Sequence, residues 1–196
     1  MDRTTRPLVI VAAFAGSLAV GLLLMLWALG GLRGMTAPAA IGGPFQLTDQ
    51  SGQTVTEKDL QGKPTLIFFG FTHCPDVCPT SLFEISEVLR AMGKDADRVN
   101  AYFVSVDPDR DTSAAMKDYL SSFDPHLRGL TGTPAAVAKV LADYRVYARK
   151  VPLKDGDYTM DHTALIYLMD RDGHFVAPFN LNRTPEAAAE DLKRYL

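Results

Sequence analysis

The sequence predicts an α/β sandwich on a mixed sheet, preceded by one membrane-spanning helix. Strand-like and helix-like segments alternate through the middle of the chain and close in a hairpin and a helix, the order of a layered α/β domain. Ahead of them, no charged residue occurs from Pro7 to Leu32, and Leu8 to Leu29 is almost wholly apolar. A bilayer core needs about 20 such residues, so this segment is long enough to span.

The apolar run exceeds the roughly 7–15 residues of a cleavable signal peptide, so a retained anchor is preferred, although Ala37-Pro38-Ala39 imitates a small-residue cleavage site. Arg3 and Arg6 precede the run and only Arg33 follows closely, which orients the N-terminus toward the cytoplasm. Six residues ahead of the span leave no room for an organelle transit sequence. The expected layout is a cytoplasmic tail 1–7, an anchor 8–32, a Pro- and Gly-rich linker 33–43 and one domain 44–196. A single-pass protein of the bacterial inner membrane, its domain in the periplasm, fits this layout.

Each element has a local cause. Residues 45–48 and 53–56 flank Asp49-Gln50-Ser51-Gly52, which has the turn chemistry of a hairpin. The apolar run 65–71 reads as a buried strand. The helix expected from Thr80 to about Met92 places Leu82, Ile85, Val88, Leu89 and Met92 on one face, with Gly93 as its stop. Val99–Val106 alternates as a strand, and Thr112 caps a helix to about Ser122. A short element begins near Gly129-Leu130. Thr133 and Pro134 start a helix to about Tyr144, followed by a strand from Arg145 to Val151. A buried strand 163–169, the turn Asp170-Arg171-Asp172-Gly173 and a strand 175–179 make the closing hairpin. Thr184 and Pro185 then open the last helix.

Without residues 1–33, which carry three Arg and one Asp, the remainder holds 17 basic and 22 acidic residues, a net charge of −5. No basic stripe marks a nucleic-acid surface. The chemistry concentrates in Thr72-His73-Cys74-Pro75-Asp76-Val77-Cys78-Pro79, which contains the only two cysteines of the chain. They lie between a strand and a helix, where α/β folds place their sites. The prolines push Cys74 and Cys78 toward extended backbone, and Pro79 suits the first helical position. Cys78 is thereby expected at the positive end of the helix dipole, where its pKa would fall. A reactive dithiol is preferred over two buried neighbours.

A strand, a dithiol loop and a helix suggest a thioredoxin-like fold with helices flanking the mixed central sheet. Thioredoxin-type exchange uses two intervening residues and this loop has three. It can close a disulfide or hold a soft metal, Cu(I) above all with Zn as competitor. A third ligand must come from elsewhere, and the histidines are His73, His126, His162 and His174. His162 precedes a buried strand, beside the connecting loops, but most lone histidines are surface or hydrogen-bonded residues. The residues leave that choice open.

Three segments in order, Gly70–Pro79, Ser105–Thr112 and Asp157–Thr163, resemble the SCO/SenC family. The resemblance covers about residues 44–196 and includes the anchor. It implies a membrane-tethered, thioredoxin-fold copper protein of cytochrome c oxidase assembly, with Cys74, Cys78 and His162 as ligands. Such a set suits Cu(I), accepts Cu(II) with an added oxygen donor, and leaves a side open for a partner's ligand. Zinc would want a fourth ligand. Expected partners are the copper-bearing oxidase subunit, a periplasmic copper donor or thiol reductant, and the membrane. The rival is a thiol-disulfide reductase that keeps the oxidase copper-site cysteines reduced; peroxide reduction or redox sensing ranks below both. His73, Asp76 and Met160 are weaker candidates, and Asp161 is a candidate to orient His162. Asp107-Pro108-Asp109-Arg110-Asp111 is read as structural or docking.

Overall fold

The computed structural model describes residues 5–28, 40–154 and 156–196, with side chains in the first segment from 13 to 27. The chain forms two units, divided between residues 39 and 40. In the first, α1 runs from Thr5 to Ala28. Among the described residues no helix is long and apolar enough to cross a membrane. The start of the expected tail and most of the expected linker, 33–39, lie outside the described residues.

In the second unit, β1 (Gln46–Asp49) and β2 (Thr54–Thr56) form the expected hairpin. Asp49 Oδ1 accepts from the N–H groups of Ser51 and Gln53, and Gly52 takes φ +83. Then follow β3 (Thr65–Gly70), α2 (Val77–Met92), β4 (Asn100–Ser105), α3 (Ser113–Leu120), β5 (Leu127–Thr131) and α4 (Pro134–Asp143). Thr112 and Thr133 accept from the third residue of their helices, as does Thr184 ahead of α5 (Pro185–Lys193). β6 (Ala148–Pro152) and β7 (Tyr158–His162) pair as a separate two-stranded ribbon. β8 (Ile166–Met169) and β9 (Phe175–Pro178) are the closing hairpin.

The main sheet has the order β2-β1-β5-β4-β3-β8-β9. β3, β4 and β5 are mutually parallel and all other pairs are antiparallel, so the sheet is mixed. β3 is buried along its whole length, as a central parallel strand should be. α2 packs on α5, and α3 covers β5.

Three elements start three residues away from expectation. α2 begins at Val77 with Asp76 as cap, so Cys78 is helical rather than extended and Pro79 is the third helical residue. First-turn N–H groups have no intrahelical partner, so a proline there forfeits nothing. The strand expected from Arg145 starts at Ala148. Arg145 sits at φ +56 and closes α4, with its N–H bonded to Ala142 O and that of Val146 to Leu141 O, a Schellman ending. The strand expected from Thr163 starts at Ile166, and Leu165 ahead of it faces solvent. β7 itself was not expected, since a half-exposed polar ribbon shows little apolar alternation.

Cys78 of α2 comes close against β3 at Gly70. A Cβ there would lie 2.6 Å from Phe103 Cε2 and 2.7 Å from Cys78 Sγ. Gly70→Ala should therefore overpack this contact and destabilise the domain by about 1–3 kcal/mol. Denaturant midpoints check this; an unchanged midpoint would mean that the strand and helix are not in the described contact.

Candidate metal centre

β3 ends at the centre of the sheet, and the chain after it must turn from strand to helix over six residues, 71–76. Asp111, buried in the loop after β4, holds this turn. Its carboxylate accepts from the Thr72 N–H (3.2 Å), the Thr72 hydroxyl (2.7 Å) and the Ser105 hydroxyl (2.6 Å). Burial pushes the Asp111 carboxyl up, against these hydrogen bonds, which pull it down. The Cys74 N–H donates to Phe71 O (3.2 Å), and the Cys78 N–H donates to Cys74 Sγ (3.4 Å). The wider dithiol loop is thus folded back so that one sulfur caps the helix turn carrying the other.

Cys74 is half-buried and Cys78 fully buried, and both are free thiols. The lowered pKa expected for Cys78 at the helix start is not found. Burial pushes its thiol far above the ordinary range, the Cys74 sulfur and the Asp111 carboxylate add to the rise, and the Phe71 backbone only partly opposes them. Removing water around a would-be thiolate outweighs the helix dipole, whose effect is about 0.3–1 kcal/mol at an exposed terminus. A thiolate here needs a cation beside it.

His162, the last residue of β7, reaches the pair from the opposite side. Its Nε2 is 3.7 Å from Cys78 Sγ. Its Nδ1 lies 3.1 Å from Thr163 O. A carbonyl only accepts, so Nδ1 carries a proton, and Nε2 is the ring nitrogen that faces Cys78 Sγ. The rings of Phe71 (5.8 Å, 89°) and Phe68 (6.4 Å, 65°) meet the imidazole edge-to-face and wall it in. The donor atoms of Cys74, Cys78 and His162 all lie within 4.8 Å of one another. Ligand atoms about 2.0–2.3 Å from one metal stand roughly 3.5–4.6 Å apart, so the trio suits a shared ion with little movement. Two thiolates and an imidazole are soft donors.

The other candidates fall outside this trio. His73 is exposed, with its ring on the Thr72 hydroxyl, and Asp76 is exposed at the start of α2. Asp161 does not orient His162: it faces Arg149 at 3.8 Å, and the Thr163 carbonyl takes the role proposed for it. Met160 packs against the core. His126 bridges Asp124 and Asp97, and His174 sits in the exposed 170–173 turn region beside Asp170. Gly70 and the Thr163 carbonyl were missed, while Asp111 was read as part of a structural or docking segment and is structural. A backbone carbonyl carries no side-chain signal, but Gly70 ends a buried strand directly before the dithiol loop and so was open to notice.

A SCO1/SenC family model matches residues 33–196. Among curated proteins, the mitochondrial SCO1 homolog 1 of Arabidopsis thaliana is 41% identical over 155 residues, covering 79% of this chain. The chain spans about half the length of such relatives, 46% of that one and 56% of the zebrafish SCO2 homolog. Among solved structures, copper-bound ScoI of Bradyrhizobium japonicum is 82% identical, with TM-score 0.79 over 80% of this chain and 100% of that one. Copper-bound yeast Sco1 is 38% identical, with TM-score 0.72 over 80% of this chain and 88% of that one. With the dithiol loop, its histidine and a match over most of its length, the chain belongs to the SCO1/SenC family.

Proposed function

We propose that this protein is a membrane-tethered periplasmic copper chaperone that delivers copper to the dinuclear copper site of cytochrome c oxidase during assembly. Cys74, Cys78 and His162 are the ligands, with Cu(I) the favoured cargo and Cu(II) accepted with an added oxygen donor. The observation that carries this is the convergence of two sulfurs and one imidazole nitrogen, separated by up to 88 positions in sequence, within 4.8 Å. The copper-bound relatives support it. Three ligands leave one side of a metal open, which a receiving protein needs if it is to add its own ligand before the donor lets go.

The tether is the apolar segment 8–32, with the tail 1–7 in the cytoplasm and the linker 33–43 lifting the domain into the periplasm of a bacterial inner membrane. The partners are the copper-bearing oxidase subunit and a periplasmic copper donor or thiol reductant. A second reading rests on the two free thiols stacked through the Cys78 N–H. The half-exposed Cys74 can attack a disulfide and the buried Cys78 can resolve the mixed disulfide, making the protein a reductase for the oxidase's copper-site cysteines.

His162 separates the two. Wild-type protein should bind one equivalent of Cu(I), and His162→Ala should weaken binding by at least about tenfold. Thiol-disulfide exchange with a small disulfide should stay within about twofold. Chelator-competition titration with metal quantification reads the first and stopped-flow absorbance the second; binding that is absent in wild type or unchanged in the variant overturns the ligand set. For the tether, protease added to spheroplasts should digest the domain, and deletion of residues 1–33 should move it out of the membrane fraction.

A further inference from the structure

The segment Asp107-Pro108-Asp109-Arg110-Asp111 touches both halves of the metal centre. Through Asp111 it holds Thr72 of the dithiol loop. Through its other charged residues it holds the ribbon that carries His162. The Asp107 carboxylate, with its side chain fully buried, accepts from Arg110 Nε and from the Tyr158 hydroxyl (2.9 Å). Arg110 Nη1 donates to Tyr158 O (2.9 Å) and to Asp157 Oδ1 (3.4 Å). The guanidinium lies 3.8 Å over the Tyr158 ring. Lys150, on β6, sits over the same ring at 4.4 Å and donates to Asp109 (2.6 Å).

The ribbon needs such a hold. Among the described residues β6 and β7 pair only with each other, half exposed, and an isolated two-stranded ribbon is marginal in water. Tyr158 and His162 are the two ends of β7, paired to β6 at all five positions, so fixing one end sets the direction of the other. Arg110 also faces the Phe71 ring at 5.8 Å, and the same ring meets His162 edge-on. One part of Arg110 goes without a hydrogen bond: its Nη2 is buried with no partner among the described residues, which costs free energy. The guanidinium forgoes that bond and stacks on Tyr158.

We infer that Asp107, Arg110 and Tyr158 form a clamp that positions His162 against the two sulfurs by fixing the far end of its strand. The metal-binding part of this inference rests on the copper reading above; the positioning part does not. Arg110 is thus a positioning residue, acting through His162.

The test is a double-mutant cycle on the full chain in detergent, with Cu(I) affinity read by competition with a chromogenic chelator. Arg110→Met should weaken binding about tenfold or more, as loss of a residue that orients a ligand does. In the His162→Ala background the same change should add less than twofold. An equal loss in both backgrounds, or no loss in wild type, overturns the clamp. Tyr158→Phe removes only the hydroxyl bond to Asp107 and serves the same cycle if Arg110→Met does not fold. A metal-free readout separates this inference from the copper reading. In the apo protein the His162 ring 15N signals should shift and broaden in the clamp variants while those of His126 and His174 hold; an unmoved His162 signal overturns the clamp whatever the protein does with copper.

Discussion

The buried carboxylate of Asp111 is the constraint on which the centre depends. It satisfies the Thr72 N–H and hydroxyl at the point where the chain leaves the sheet, and the Ser105 hydroxyl at the end of the neighbouring strand. Its own backbone carbonyl accepts from the Thr131 hydroxyl at the end of β5. Three adjacent parallel strands are thereby tied at their carboxyl ends through one residue. That tie lets a loop with an extra residue between its cysteines hold a defined shape. Without it, the bonds that remain to place the first turn of α2 and the sulfur of Cys74 are local ones, from the Cys74 N–H to Phe71 O and from the Cys78 N–H to Cys74 Sγ. The same residue contributes to the electrostatics of the site, since a carboxylate beneath Cys78 makes a bare thiolate there still less favourable.

The second half of the centre is held differently. His162 comes from a ribbon outside the main sheet, and its ring is oriented by the next residue's carbonyl and by two aromatic edges. Position and ring orientation thus have different sources: the ribbon's attachment decides where Nε2 is, and the Thr163 carbonyl holds Nδ1.

Most of the fold was legible because its causes are local. Thr112, Thr133 and Thr184 cap helices as their positions announce, and the uninterrupted apolar run of β3 reads as a central strand. What was missed depends on partners distant in sequence. β7 has no apolar stripe because its stability comes from β6 and from charged side chains of another loop. The pKa of Cys78 was misjudged because helix position is visible in sequence and desolvation is not: the thiol is buried by Gly70, whose missing side chain makes room for the sulfur. The two cysteines and His162 stood out as residues, but only the fold shows that the latter two are 3.7 Å apart.

That burial also bears on how copper delivery and thiol exchange relate. Cys74 is reachable and Cys78 is not, so an exchange partner can meet the pair only through Cys74. Cys78 then has to act as a buried thiol that resists losing its proton. A soft cation between the sulfurs removes the resistance, because the charge that burial penalises is neutralised where it forms. On the proposed reading, a copper-loaded pair has both sulfurs occupied and cannot exchange, and a disulfide-bridged pair cannot load. The proposed chaperone and reductase are therefore alternate states of one pair rather than two sites. His162 weights the choice, since its lone pair helps a metal and does nothing for a disulfide.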